Sequence, residues 1–308
     1  MTYFRDQIVL SRNRTSLASV IQGVRTRSGR RRRLLAPALG VVVGAGVAFA
    51  YVGAGEMRAA GLPDPGRAAA TATATAKSQV TAAAPAPAPI LPFNAKLSSA
   101  DVPVPGGGVR RGGCSGALVA PAWIVSAGHC FHDVDGNRIS GPPPYTMTVV
   151  VGRLKDGDPG GHVATVVDVR QSPVNDLALV RLSGPAEGIV PLTVADVPPS
   201  VGDPLAFAGW GSLSPTVFGP SDHLKRGRFT VASVGDVTLE AESAGTRTVE
   251  NTPCPEDSGA PFYVSGDDRT GTLVAIVNTG PPCPQPGREV IARVDVVADW
   301  IREQMASA

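Results

Sequence analysis

Aromatic residues make up only 5% of the chain and charged residues 18%, against 43% hydrophobic overall. So low a charge content with so many apolar residues excludes disorder throughout and points to at least one sizeable core. Histidines and cysteines number four each, and no CxxC or HxxxH spacing groups them as zinc ligands. No metal and no cofactor is expected. The G-x-S-x-G elbow of typical esterases is also missing. Net positive charge is confined to the amino terminus. Residues 1–33 hold nine Arg against one acid, Asp6, so within a formal net charge of +2 the remainder carries −6. A mildly acidic body gives no electrostatic reason to bind nucleic acid. In contrast, Gly (36) and Pro (29) are abundant, which favours short strands and turns over long helices.

Long apolar runs are missing except for one. Residues 34–55, LLAPALGVVVGAGVAFAYVGAG, carry no charge and follow four adjacent arginines, Arg30 to Arg33. At about 1.5 Å per residue such a helix spans a roughly 30 Å hydrocarbon layer. The arginines should keep residues 1–33 cytoplasmic and direct the rest outward. Ala48-Phe49-Ala50 is a small-x-small cleavage pattern, so the segment is read as an uncleaved signal anchor or, alternatively, a signal peptide. Residues 56–92 are an Ala/Thr/Pro linker with a PAPAPAP-like stretch, extended and stiff, expected to act as a spacer. Membrane association is therefore expected through residues 34–55, and an extracytoplasmic location, membrane-anchored or secreted, for residues 93–308.

From about residue 93 short apolar runs alternate with Gly/Pro turns, among them SGALVAPAWIVSAG, HVATVVDVR, DLALVRL, DPLAFAGWG and GTLVAIVNTG. Runs of this length bounded by turn formers are a strand signature, and eight or more imply an all-β barrel or sandwich. At the end, Val297, Trp300, Ile301 and Met305 fall at helical spacing and predict a short amphipathic helix.

Cys114, Cys130, Cys254 and Cys283 all lie beyond the export segment. An even number there points to two disulfides, with three connectivities open. Asp133, Asp135 and Asn137 are spaced like part of a calcium loop, but the distal Glu is absent, so a plain turn is expected. Three short motifs carry potential chemistry. His129 follows the apolar run Trp123 to Ala127. Asp176 opens Asn175-Asp176-Leu177-Ala178-Leu179. Ser258 sits in Cys254-Pro255-Glu256-Asp257-Ser258-Gly259-Ala260-Pro261. Singly these are a strand-end histidine, a turn aspartate and a turn serine.

Together they resemble the chymotrypsin/trypsin-like peptidase family. Cys114-Ser115-Gly116 followed by Ser126-Ala127-Gly128-His129-Cys130 is similar to its CGG…TAAHC segment. Asp176 to Leu179 is similar to its D-I-A-L strand, and Asp257 to Pro261 to its G-D-S-G-G-P turn. Gly209-Trp210-Gly211 falls between them, and ADWIREQM resembles the terminal helix. The resemblance spans about residues 93–308 in the order His…Asp…Ser. It implies two six-stranded antiparallel β-barrels with a C-terminal helix and a cleft between the barrels. It further implies disulfides Cys114–Cys130 and Cys254–Cys283, a triad of His129, Asp176 and Ser258, and oxyanion donors from the Glu256 and Ser258 N–H groups. The substrate pocket would be formed by Thr252, Asn278, Thr279 and Gly280.

Four departures stand out. Glu256 replaces the family's Gly before the Asp-Ser pair. Thr252 stands where basic-specific members carry Asp, with Glu289 near the pocket rim. Asn278-Thr279-Gly280 replaces Ser-Trp-Gly. No Ile-Val-Gly-Gly supplies a new amino terminus for Asp257, so Asp257 is expected to find another donor. The implied function is a serine endopeptidase acting on peptide or protein substrates through an acyl-enzyme. The alternative is a catalytically impaired trypsin-fold protein serving as a binding module.

Overall fold

The computed structural model describes residues 90–307. The basic N-terminus, the expected anchor at 34–55 and nearly all of the linker lie outside the described residues. Among those described, no helix is long and apolar enough to cross a membrane.

Six strands form a first closed barrel: β1 (Asn94–Pro103), β2 (Val109–Ala120), β3 (Trp123–Ala127), β4 (Thr148–Val151), β5 (His162–Gln171) and β6 (Leu177–Leu182). They run in the order β1-β2-β3-β6-β5-β4, and β4 pairs back onto β1. β7 (Thr193–Val194) is a two-residue link. A second barrel follows from β8 (Pro204–Gly209), β9 (Lys225–Val234), β10 (Thr238–Ser243), β11 (Pro261–Val264), β12 (Thr272–Thr279) and β13 (Glu289–Arg293). Its order is β11-β8-β9-β10-β13-β12, closed by β11 on β12, with β7 parallel to β12 outside the ring. Two closed six-stranded antiparallel barrels are therefore present. A 3-10 turn at Asp295–Val297 leads into α1 (Ala298–Ala306), whose Ile301 is buried.

The strands follow the side-chain alternation of the pleat. In β5, Ala164 and Val166 point in while Val163 and Val167 are exposed. In β9 the inward residues are Lys225, Gly227, Phe229 and Val231, so one lysine shares the parity of the core. β3 and β6 are almost wholly buried, and β3 packs against β12 of the second barrel. Closure leaves neither barrel with a long free edge to pair with another chain.

Several tight links tie the barrels at their seam. Trp210 N–H donates to Ser115 Oγ (2.9 Å), and its ring N–H donates to Asn94 Oδ1 (2.8 Å). Asn175 reaches across with its amide to Arg293 O at 2.7 Å. The Cys114–Cys130 and Cys254–Cys283 disulfides are both formed. Asp133 is a plain turn residue, its carboxylate accepting from Asp135 N, Asn137 N and Asn137 Nδ2.

Candidate active site

The β3–β6 register builds the first half of the site. Ala127 pairs with Leu177 in an antiparallel ladder. Residues just after β3 therefore face residues just before β6, which sets His129 beside Asp176. The Asp176 carboxylate receives the His129 main-chain N–H at 2.8 Å and its ring Nδ1 at 2.6 Å. Two bonds from one residue fix both the position and the rotation of the imidazole, and the tautomer with hydrogen on Nδ1 leaves Nε2 as an acceptor. Arg138 adds a cation 3.5 Å from Asp176 Oδ1 and donates to Asn175 O at 3.2 Å. Burial pushes the Asp176 carboxyl up, but the His129 bonds and the His129 and Arg138 charges outweigh it and hold it below its ordinary value.

The second half is the turn from Cys254 to Ala260, closed by Asp257 N–H on Cys254 O (3.0 Å) and Ala260 N–H on Asp257 O (2.9 Å). This turn is pressed against the end of β3. Ser115 N–H donates to Ser258 O at 2.9 Å, and Gly259 N–H donates to Val277 O at 2.8 Å. Gly259 has φ +82°, and a Cβ there would stand 2.6 Å from Ala127 N and collide with Ser126 Oγ. Glycine is required on both counts. Ser258 thus shares a seam with the segment carrying His129, and Cys130 Sγ lies 3.8 Å from Ser258 O. Among the described residues no hydrogen bond joins the Ser258 hydroxyl to His129. Such bonds often tighten only when substrate is bound.

Glu256 adopts φ +73°, a left-handed conformation uncommon outside glycine. Its side chain does not enter the space beside Ser258. It lies over Gly113, where the missing Cβ leaves room; a Cβ would stand 3.0 Å from Glu256 Oε2. There it lines a cavity of about 680 Å³ with Arg111, Gly112, Thr146 and Phe218. Glu256 Oε2 is buried without a partner. Burial raises this carboxyl above its ordinary value, against the pull of Arg110 and Lys96. Among the described residues, neither the Glu256 nor the Ser258 N–H is tied to a protein acceptor.

Next to Ser258 a cavity of about 240 Å³ is lined by Cys254, Asn278, Thr279, Gly280, Cys283 and Glu289. Of the expected pocket residues, Asn278, Thr279 and Gly280 lie on its wall. Thr252 does not: it is fully buried behind the wall and its hydroxyl donates to Thr248 O at 2.7 Å. Glu289 is not an exposed rim residue. It is 1% exposed and ion-paired with Arg247. Gly280 makes room for it, since a Cβ there would strike Glu289 Oε2. Burial raises the Glu289 carboxyl, with Arg247 opposing.

The partner of Asp257 is Lys225. Its ammonium lies 2.5 Å from Asp257 Oδ2, and both side chains are 0% exposed. Complete burial pushes the Asp257 carboxyl up, so its charge depends on Lys225 and on the N–H groups of Cys254 and Gly211. Sequence reasoning passed over Lys225, Arg138 and Arg247. A signal for Lys225 exists in the in-out alternation of β9. The two arginines act through loops whose course no local pattern reveals.

Comparison with known proteins matches this architecture. The Trypsin family model covers residues 92–301. Serine protease 56 of Mus musculus is 30% identical over 224 residues, which is 63% of this chain and 35% of that protein. The chain thus spans about a third of that relative's length. Kallikrein 1-related peptidase b3 of Mus musculus is 27% identical over 215 residues, covering 63% of this chain and 80% of the relative. Among solved structures, neuropsin, a serine protease expressed in the limbic system of mouse brain, superposes with a TM-score of 0.54 at 22% identity, over 70% of this chain and 95% of that one. With the family model matched over both barrels and the start of the terminal helix, this chain belongs to the trypsin family.

Proposed function

We propose that the protein is an extracytoplasmic serine endopeptidase that hydrolyses peptide bonds through an acyl-enzyme, with His129, Asp176 and Ser258 as its triad. One observation carries this reading: the two-point clamp of Asp176 on His129, at 2.6 and 2.8 Å, beside a glycine-tight turn that presents Ser258. A serine hydroxyl is a poor nucleophile at neutral pH. With Nδ1 committed to Asp176, Nε2 of His129 takes the Ser258 proton as Oγ attacks the carbonyl carbon. Asp176 stabilises the imidazolium that forms, and His129 then protonates the leaving amine. The free N–H groups of Glu256 and Ser258 receive the developing oxyanion. Water repeats the sequence on the ester and releases the acid.

The cavity lined by Gly280 and Glu289 takes the residue on the acyl side of the scissile bond (P1). Arg247 matches the Glu289 charge, so the pocket favours a neutral P1 side chain. The two disulfides are in keeping with an oxidising compartment outside the cytoplasm, and residues 34–55 provide the route there, as anchor or leader. A fluorophosphonate probe tests the reading. It should label the wild-type protein and not Ser258→Ala. A folded wild-type protein that stays unlabelled returns the cleft to the role of a binding module.

A further inference from the structure

We propose that Lys225 is a built-in cation that holds the Ser258 turn in working shape, so that the uncleaved chain is already competent. This rests on the peptidase reading and adds how its site is kept assembled.

The Lys225–Asp257 pair is closed. The three hydrogens of the ammonium have three acceptors: Asp257 Oδ2 at 2.5 Å, Thr252 O at 3.0 Å and Ser212 O at 3.3 Å. The carboxylate is equally occupied. Oδ2 also receives Cys254 N–H at 2.9 Å, and Oδ1 receives Gly211 N–H at 2.6 Å. Backbone packs tightly around it: a Cβ on Gly209 or Gly211 would run into the Asp257 carboxylate. Three of the carboxylate's roughly four acceptor sites are filled, and the close backbone at Gly209 and Gly211 leaves little space for a second ammonium. The segment entering β1 is docked elsewhere, with Leu91 fully buried and its N–H donating to Asp268 O.

Position along the chain turns this buried pair into a device. Asp257 lies between Glu256 and Ser258, the two residues whose N–H groups face the reacting carbonyl in the proposed mechanism. Pinning the Asp257 side chain from below fixes the peptide planes on both sides of it. Lys225 comes from the first residue of β9 and Gly211 from the segment after β8, so the turn is tied to the second barrel itself. Lys225 touches no substrate atom and is a positioning residue.

The test uses the full chain, with its amino terminus verified by intact mass. Ser258 labelling by a fluorophosphonate and kcat and KM on a peptide substrate are measured before and after an added endopeptidase cuts ahead of Ile90. They are repeated on Lys225→Met and on Lys225→Met/Asp257→Asn. The double variant leaves no buried charge alone and keeps the test valid if the single variant fails to fold. Uncut wild-type chain should label at Ser258. The folded double variant should lose kcat by roughly 10²–10³, the size of one lost oxyanion donor, with KM within a few-fold. A folded double variant with wild-type kcat overturns the proposal. So does labelling that appears only after cutting, which leaves the peptidase reading intact. Absence of labelling in both cut and uncut wild-type protein removes that reading, and the role of Lys225 with it.

Discussion

His129 and Asp176, 47 residues apart in the chain, are joined twice, once through the ring and once through the main chain. The ring bond alone would fix a tautomer. The second bond fixes where the ring stands relative to the end of β3. Asp176→Asn preserves the shape but offers the ring the wrong partner, and kcat should fall about 10⁴-fold with little change in KM. The carboxyl is held below its ordinary value of 3.8. Its contribution to stability is therefore complete above pH 3.8 and is lost as the pH falls through the lower folded value. Thermal unfolding across pH should show the wild type's advantage over Asp176→Asn at neutral pH shrinking toward zero in strong acid.

Glu256 behaves in the opposite sense. Burial favours its neutral form, so ionisation costs stability as the pH rises through the raised folded value. Glu256→Gln should be more stable than wild type at pH 7, and this gain should vanish below pH 4.5, the ordinary value. Denaturant melts at the two pH values measure it. Because the side chain turns toward Gly113, activity of Glu256→Gln on substrates neutral beyond the scissile bond should stay within a few-fold of wild type.

The Arg247–Glu289 pair sets the charge at the wall of the cavity proposed to take the P1 side chain. Arg247→Met leaves Glu289 without its partner, at a cost of about 3–5 kcal/mol in stability. A Lys or Arg at P1 should then pair with Glu289. The ratio of kcat/KM for a Lys-P1 peptide over its Leu-P1 counterpart should rise by about tenfold or more. An unchanged ratio would mean that the Glu289 carboxylate does not reach the P1 side chain.

Local patterns made much of this architecture legible. Alternation marks β5 and β9, continuous apolar runs mark β3 and β6, and the spacing of Trp300, Ile301 and Met305 marks α1. The chemistry-bearing motifs also show in the sequence, since each sits at a strand end or a turn, in the order His129, Asp176, Ser258. What escaped depends on long-range packing. Thr252 has the spacing of a pocket residue, yet its hydroxyl turns to Thr248 and its carbonyl to Lys225. Glu289 reads as a rim charge until Arg247, 42 residues earlier, is seen to cover it. Glu256 looks hostile to the oxyanion until the room above Gly113 is known. Each of these three residues owes its orientation to a partner on a distant segment, and periodicity carries no information about that.

The convergence of His129, Asp176 and Ser258 on one reaction is tested most directly by trapping its covalent intermediate. The full chain is mixed with a slowly deacylating aryl ester, quenched in acid and weighed intact, and the adduct is mapped by peptide sequencing. One acyl group on Ser258 is expected, formed with a stoichiometric burst of phenol and absent from His129→Ala. A folded wild-type protein that gains no acyl mass, or gains it on another residue, contradicts the triad.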